Sequence, residues 1–263
     1  MPRKLGQHFL RHSPSLKKIT SALEIKNGDF IFEIGPGHGE LSDFLISAGA
    51  KTSFFLLEKD KKLVSFLKNK YADSKNIEII EGDALKTLPL LVEKHQLKIN
   101  GGDYKVVGNI PYYLTGRLFR IISGLHPLPK LVVLTIQKEV AERICSKRGN
   151  FNLLSASILF FWDPQIILRL KRGDFNPPPE VDSAVILLKK SNTPPVISES
   201  TYFSFIRAAF KQPRKTLTNN LFSGLKIPKA TTKKALADLN LSPLSRPENL
   251  DFSLLQKLIK LFS

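Results

Sequence analysis

Short apolar runs alternate with amphipathic segments through the first two thirds of the chain. The apolar runs are 30–34, 52–57, 77–80, 104–107 and 131–136. Between them lie stretches with the apolar spacing of helices, among them 60–71 and 138–148. Strands that alternate with helices favour right-handed crossovers, so this pattern predicts a mostly parallel sheet that is covered on both faces.

The pattern changes towards the end of the chain. Two later apolar runs, 166–170 and 181–188, are joined through Asn176-Pro177-Pro178-Pro179, which is too short for a crossover helix, so we expect an antiparallel pair. Strand patterns stop near Lys190, a Ser/Pro-containing linker follows, and only helical patterns come after it. The sequence therefore predicts an α/β domain over 1–190 and a small all-helical domain over 191–263.

The chain is strongly basic, with 40 Lys and Arg against 23 Asp and Glu and a net charge of +17 over 263 residues. Residues 1–23 and 200–237 contain no acid. A field of this sign favours polyanions, although a basic surface can also serve only solubility. We expect a face that binds nucleic acid, with these candidate contacts in the second stretch: Lys211, Arg214, Lys215, Lys233 and Lys234.

Several classes of protein are disfavoured by composition. No apolar run approaches the length of a membrane span, and the first residues have no apolar signal core. The single cysteine, Cys145, excludes an internal disulfide, and the histidines show no spacing typical of metal ligands. We expect a cytoplasmic protein without a metal or a membrane partner.

Polar and glycine residues follow three successive predicted strands. The segment Glu33-Ile34-Gly35-Pro36-Gly37-His38-Gly39 is a glycine-rich turn after a strand, where backbone can approach a ligand. Its spacing differs from that of dinucleotide binders. Glu58 and Asp83 end the next two strands, where they can bind ribose hydroxyls and an adenine amino group, or simply cap helices. Together they favour an adenosine-containing ligand that lacks a pyrophosphate.

The fourth strand ends in Gly108-Asn109-Ile110-Pro111-Tyr112-Tyr113. Pro111 keeps the preceding backbone extended, so the Asn109 side-chain oxygen and the Ile110 carbonyl can accept from one amino group. Tyr112 can stack on a planar ring. These groups suit the exocyclic amine of a nucleobase, which two acceptors would orient towards an electrophile.

These segments resemble the S-adenosylmethionine-dependent rRNA adenine dimethyltransferases, and within them the KsgA (RsmA) type. The matching motifs run along nearly the whole chain: residues 5–10, 33–39, 109–112, 137–144, 175–185, 215–217, 219–221 and 246–250. The resemblance implies a Rossmann-like class I methyltransferase domain and a C-terminal helical domain that faces RNA. It also implies dimethylation of two adjacent adenosines near the 3′ end of small-subunit (16S) rRNA, by a monomer that acts on the immature small subunit.

The resemblance also implies roles for individual residues. S-adenosylmethionine would contact His8, Leu10, Gly35, Gly37, Glu58, Asp83 and Asn109. Asn109, with Ile110 and Pro111, would hold the target amine, and Tyr112 and Phe175 would sandwich the flipped base. A fragment that ends near residue 190 is expected to keep the cofactor site and to lose RNA binding.

The chain departs from the family pattern at Thr115, Gly116, Asn152, Pro213 and Thr218. Two alternative functions stay open. One is an Erm-type enzyme that acts on large-subunit rRNA, although such enzymes typically lack the Pro36 pattern and the run that begins at Pro177. The other is a non-catalytic family member that serves as a ribosome-assembly or RNA-binding factor, against which the intact Asn109 argues.

Overall fold

The structure is a computed structural model, and it describes residues 8–49, 51–95, 104–146, 151–191 and 197–262. The strands of these ranges are β1 (Phe9–Leu10), β2 (Phe30–Ile34), β3 (Ser53–Glu58), β4 (Ile77–Glu81), β5 (Tyr104–Asn109), β6 (Leu131–Gln137), β7 (Trp162–Leu170), β8 (Phe175–Asn176) and β9 (Ser183–Lys190). Each apolar run of the sequence therefore forms a strand.

Seven of these strands form one mixed sheet in the order β4-β3-β2-β5-β6-β9-β7. Strands β2 to β6 pair in parallel with their neighbours. β9 runs antiparallel to β6 and lies beside β7. With helices between the parallel strands, this arrangement confirms the Rossmann-like α/β prediction. β1 and β8 form a separate antiparallel pair.

Helices fill the connections and the C-terminal part of the described chain. They are α1 (Ser13–Ala22), α2 (Glu40–Ala48), α3 (Lys61–Lys70), α4 (Ala84–His95), α5 (Thr115–Ser123), α6 (Lys138–Cys145), α7 (Leu153–Leu159), α8 (Glu199–Ala209), α9 (Leu217–Leu225), α10 (Lys229–Asp238) and α11 (Phe252–Lys260). Within the described ranges, none of them has the length and apolar character needed to cross a membrane.

Side-chain caps explain where several helices begin. Asp60 accepts from the backbone of Lys62 at the start of α3, and Asp251 accepts from Leu254 at the start of α11. Such caps satisfy backbone N–H groups that have no partner inside the helix.

The central strands are buried along nearly their whole length because helices cover both faces of the sheet. Every residue of β6 except its last is buried, and so is every residue of β5 except Asn109. Ile31, Phe54 and Val107 belong to one core cluster with residues of α1 and α2. This core fixes the strand ends that carry the candidate site.

The chain divides into two compact units, Met1–Ala141 with Pro164–Lys190, and Glu142–Asp163 with Ser191–Ser263. The second unit is therefore not the simple segment 191–263 that the sequence predicts, because α7 and its flanks group with the C-terminal helices. Within this unit, the Tyr202 hydroxyl donates to the Ala156 carbonyl at 2.8 Å, and the Phe160 and Tyr202 rings lie 4.4 Å apart. Helical periodicity alone does not show which helices share a core.

Candidate active site

A cavity of about 180 Å³ lies in the first unit, where the parallel strands β2, β3 and β5 end. Crevices at the carboxyl ends of parallel strands are where open α/β sheets bind ligands. The predicted site residues that line it are His8, Gly35, Gly37, Glu58, Asp83, Asn109, Ile110, Pro111, Tyr112 and Phe175. Leu10 is the predicted site residue of this unit that does not line the cavity.

The glycine-rich turn after β2 forms one wall. Gly35, Gly37 and Gly39 have φ angles of 67°, 63° and 86°, which favour residues without a Cβ. A Cβ on Gly37 would lie 2.6 Å from the Phe9 ring. The turn therefore depends on glycine both for its backbone conformation and for close packing of the N-terminal segment.

Glu58 ends β3 and is only 5% exposed. One carboxylate oxygen accepts from the backbone N–H groups of Lys59 and Asp60 at 2.8 and 2.9 Å, and the other accepts from Gly37 N–H at 3.3 Å. A carboxylate offers about four acceptor positions, so this one retains capacity for a ligand hydroxyl. Glu58 thus ties the glycine turn to β3 while it lines the cavity.

Asp83 both caps a helix and lines the cavity. It accepts from the backbone of Leu85 at 3.1 Å at the start of α4, and it pairs with Lys59 at 3.3 Å. A role for Asp83 as a helix cap is therefore compatible with a role as a ligand contact.

Asn109 stands at the end of β5, and its side-chain Nδ2 donates to the His8 carbonyl at 2.6 Å. Neither its Oδ1 atom nor the Ile110 carbonyl accepts a hydrogen bond from the residues that the structure describes. Two neighbouring acceptors without protein donors, beside a cavity, suit a ligand with an amino group.

Two aromatic residues line the same cavity. The Tyr112 hydroxyl and the Ser183 hydroxyl lie 2.6 Å apart, which fixes the Tyr112 ring. Burial raises the pKa of the Tyr112 phenol, and the Ser183 hydrogen bond opposes this shift. Phe175 is buried and lies in β8. These rings can enclose a planar ligand.

The N-terminal segment is held beside the cavity by β8. Phe9 pairs with Asn176 and Leu10 with Phe175, and a ring nitrogen of His8 lies 2.9 Å from the Pro177 carbonyl. Leu10 packs into the core, whereas Phe9 lines the cavity. Residues 5–7 of the motif that the sequence indicates lie outside the described residues.

Glu33 lies behind the glycine turn. Burial raises the pKa of its carboxyl to about 8, and the hydrogen bond from Ser42, 2.7 Å long, acts in the opposite direction. The negative charges of Asp43, Glu40 and Glu58 raise this pKa further.

The predicted RNA contacts lie in the second unit. Lys211, Arg214 and Lys215 are exposed between α8 and α9, while Lys233 and Lys234 are exposed on α10. The side chains of these five residues form no ion pair with the residues that the structure describes. Their charge therefore faces solvent.

The departures from the family pattern have local structural roles in three cases. Thr115 is buried at the start of α5, Asn152 caps α7 by accepting from Ser155 at 3.0 Å, and Thr218 is buried in α9. Pro213 and Gly116 are exposed. A buried Thr218 is unable to contact a phosphate at the surface.

Sequence reasoning missed several cavity residues: Phe9, Lys59, Leu85, Tyr113 and Arg117. Phe9 and Tyr113 lie inside segments that the sequence analysis names, and the other three follow such a segment or a predicted site residue within five positions, so this proximity was the available signal. Over the described residues, no group of three or more His, Cys, Asp or Glu side chains is arranged to hold a metal.

Comparison with known proteins identifies the family. The model of the ribosomal RNA adenine dimethylase family matches residues 1–253. The chain is 36% identical over 256 residues to ribosomal RNA small subunit methyltransferase A of Dehalococcoides mccartyi. This alignment covers 97% of this chain and 86% of the relative. It is 34% identical to the protein of the same name from Fusobacterium nucleatum, in an alignment that covers 99% of this chain and 97% of the relative.

The chain therefore belongs to the ribosomal RNA adenine dimethylase family, and it is an enzyme of the methyltransferase class. This confirms the family resemblance of the sequence.

Solved structures agree. A dimethyladenosine transferase from Plasmodium falciparum aligns with a TM-score of 0.76 and 27% identity, over 95% of this chain and 96% of that one. The 23S rRNA methyltransferase ErmE aligns with a TM-score of 0.75 over 96% of this chain and 98% of ErmE. At 20% identity, this alignment shows the shared fold alone.

Proposed function

We propose that this protein transfers methyl groups from S-adenosylmethionine to the exocyclic amines of two adjacent adenosines near the 3′ end of small-subunit rRNA. The observation that carries this proposal is the pair of oxygens on Asn109 and Ile110, which lie beside a cavity and accept no hydrogen bond from the residues that the structure describes. The name of the Dehalococcoides and Fusobacterium relatives, small subunit methyltransferase, supports the choice of RNA.

The cavity residues fit an adenosine-containing cofactor. Gly35 and Gly37 would bring backbone against it, Glu58 would accept from ribose hydroxyls, and Asp83 would accept from the adenine amine. The Phe9 ring against Gly37 would cover the ligand from the N-terminal side. When bound, S-adenosylmethionine supplies an activated methyl group. We propose that no metal takes part.

The chain's own contribution is to orient the target amine. The lone pair of an adenine amine is delocalised into the ring, so the nitrogen is a poor nucleophile. Acceptance of its two N–H groups by Asn109 Oδ1 and the Ile110 carbonyl would favour a pyramidal nitrogen with a directed lone pair. Pro111 holds these groups in place, and Tyr112 and Phe175 would enclose the flipped base.

The exposed basic side chains on the second unit would hold the surrounding RNA through its phosphates. These are Lys211, Arg214, Lys215, Lys233 and Lys234. We propose that the substrate is the immature small subunit, which a monomer would meet in the cytoplasm where ribosomes are assembled.

A methylation assay tests the proposal against its alternatives. The purified protein and labelled S-adenosylmethionine are incubated with immature small subunits or with free large-subunit rRNA, and modified nucleotides are mapped. We expect dimethyladenosine at two adjacent positions of the small-subunit RNA only. Label in large-subunit rRNA would indicate an Erm-type enzyme, and binding without label would indicate an assembly factor.

A further inference from the structure

Two cavity residues with an aromatic or a charged side chain, Tyr113 and Arg117, have no role in the site described so far. Tyr113 lies in the helical turn Tyr112–Leu114, and Arg117 lies in the first turn of α5, which follows directly. Residues four apart on helical backbone lie on the same side of the helix. Tyr113 and Arg117 are therefore expected on the same side of this helical stretch, and both line the cavity.

The Tyr113 side chain is 63% exposed although it is aromatic. It makes no hydrogen bond or ring contact with any residue in the described ranges, in contrast to Tyr112, which Ser183 holds. Single exposed aromatics are common on protein surfaces. What distinguishes Tyr113 is its position, because an exposed ring at a nucleobase cavity is a stacking platform for a second base.

Arg117 is an exposed cation in the first turn of α5. It forms no ion pair and no hydrogen bond with the part of the chain that the structure describes, and residues 104–138 contain no Asp or Glu. A Cβ on the neighbouring Gly116 would meet no atom within 4 Å, so the surface beside it is open. A free guanidinium on an open surface suits a phosphate, which it binds through two parallel hydrogen bonds.

We propose that Tyr113 and Arg117 form a subsite for the nucleotide next to the target adenosine. Tyr113 stacks on the base of that nucleotide, and Arg117 pairs with the phosphate that joins it to the target. This inference rests on the proposed function, in which two adjacent adenosines are modified. The subsite holds one adenosine at the edge of the cavity while the other is inside it.

The first experiment measures how tightly protein variants bind an RNA hairpin whose loop carries two adjacent adenosines. Because one phosphate contact is lost, Arg117→Ala should lower the slope of log affinity against log salt by roughly 0.7–0.9. The matched control is Arg120→Ala, which removes an exposed arginine of the same helix that does not line the cavity, and it should leave the slope unchanged.

The stacking contact has its own pair of variants. Tyr113→Ala should weaken hairpin binding by roughly tenfold, in line with the loss of one stacked base. Tyr113→Phe keeps the aromatic face and should bind as the wild type does. Unchanged affinity for S-adenosylmethionine shows that each variant is folded.

Modified RNA then locates the contacts. An abasic nucleotide beside the target should weaken binding to the wild type but not to Tyr113→Ala. A methylphosphonate between the two adenosines removes the phosphate charge, and it should weaken binding to the wild type but not to Arg117→Ala. Such non-additivity is expected for groups that are in contact, whereas distant and independent groups give additive losses.

Additive losses, or hairpin binding that none of the variants changes, would overturn the subsite. A loss of S-adenosylmethionine affinity in Arg117→Ala would place this arginine in the cofactor site and would also overturn it. The proposed function is tested separately by wild-type methylation of small subunits, so a wild type that binds the hairpin as described but methylates no subunit contradicts only that function.

Discussion

The two ends of the Asn109 amide have different partners. Its nitrogen donates to the His8 carbonyl at 2.6 Å, which leaves the oxygen without a donor among the described residues. Because a carbonyl can only accept, the Asn109 atom that faces the His8 carbonyl must be the amide nitrogen, and the oxygen takes the other position. One backbone oxygen of the N-terminal segment thus orients the acceptor that the proposed chemistry needs.

Glu33 should make stability depend on pH. The pKa of its carboxyl is about 8 in the folded protein, against an ordinary value of 4.5. Between these values the folded state binds more protons than the unfolded state, so the free energy of unfolding falls as pH rises. The loss approaches about 1.4 kcal/mol per pH unit within this range.

Glu33→Gln removes the titration while it keeps the shape of the side chain. We expect denaturant unfolding at pH 5.5 and 7.5 to show a smaller decrease in stability for this variant than for the wild type. The control is Glu93→Gln, which replaces an exposed acid of α4 and should keep the wild-type dependence. Equal pH dependence in wild type and Glu33→Gln would contradict the assignment.

At the scale of elements, one asparagine shapes the basic loop between α8 and α9. Asn220 in α9 is 1% exposed. Its Oδ1 accepts from Gln212 N–H at 3.1 Å, and its Nδ2 donates to the carbonyls of Gln212 and Lys215 at 2.9 and 3.3 Å. These bonds hold in place the loop that presents Lys211 and Lys215.

Asn220→Ala should therefore loosen this loop. It leaves three backbone groups without their partner, which costs about 1–3 kcal/mol for a buried site. We expect a lower melting temperature and weaker RNA binding, with unchanged affinity for S-adenosylmethionine. Asn219→Ala, at the exposed neighbouring position, should change neither property. RNA affinity that survives Asn220→Ala would mean that the loop does not bind RNA.

The strands of the large sheet could be predicted because each is a run of apolar residues long enough to stand out. The β1–β8 pair could not be predicted, because two residues in each strand carry no periodicity. Its pairing depends on contacts between positions more than 160 residues apart in the chain. For the same reason, Phe9 was missed as a cavity residue, whereas Leu10, a cofactor contact implied by the family resemblance, packs into the core.

At the scale of the whole molecule, the boundary between the units corrects the expectation for a fragment that ends near residue 190. Such a fragment retains Phe160 and Phe161, which are buried in the second unit, but it loses Tyr202 and Phe203, whose rings lie within 6 Å of the Phe160 ring. Removal of these partners exposes apolar surface that promotes aggregation.

We therefore expect a fragment of residues 1–190 to elute as aggregates from a sizing column and to unfold at a lower temperature than the full chain. The full chain with Lys211→Ala and Lys215→Ala removes basic charge without exposing the aromatic core, and it should remain monodisperse. A monodisperse fragment with full affinity for S-adenosylmethionine would contradict the division into units.

The strand-to-helix change near Lys190 is visible in the sequence because it alters the apolar period. The assignment of 142–163 to the second unit is not, because α7 has the same period whichever core it joins. Contacts such as the hydrogen bond from Tyr202 to the Ala156 carbonyl place α7 in the second unit. The site residues were predictable because they follow consecutive strands, whose ends a parallel sheet gathers at one edge.

The central claim is that Asn109 orients the target amine, and a comparison of binding with transfer tests it most directly. S-adenosylmethionine affinity and single-turnover methylation of immature small subunits are measured for the wild type and for Asn109→Ala. We predict cofactor affinity within about tenfold of the wild type, but a transfer rate at least ~100-fold lower, as expected when one oriented polar group is removed. Transfer near the wild-type rate in Asn109→Ala would contradict the account.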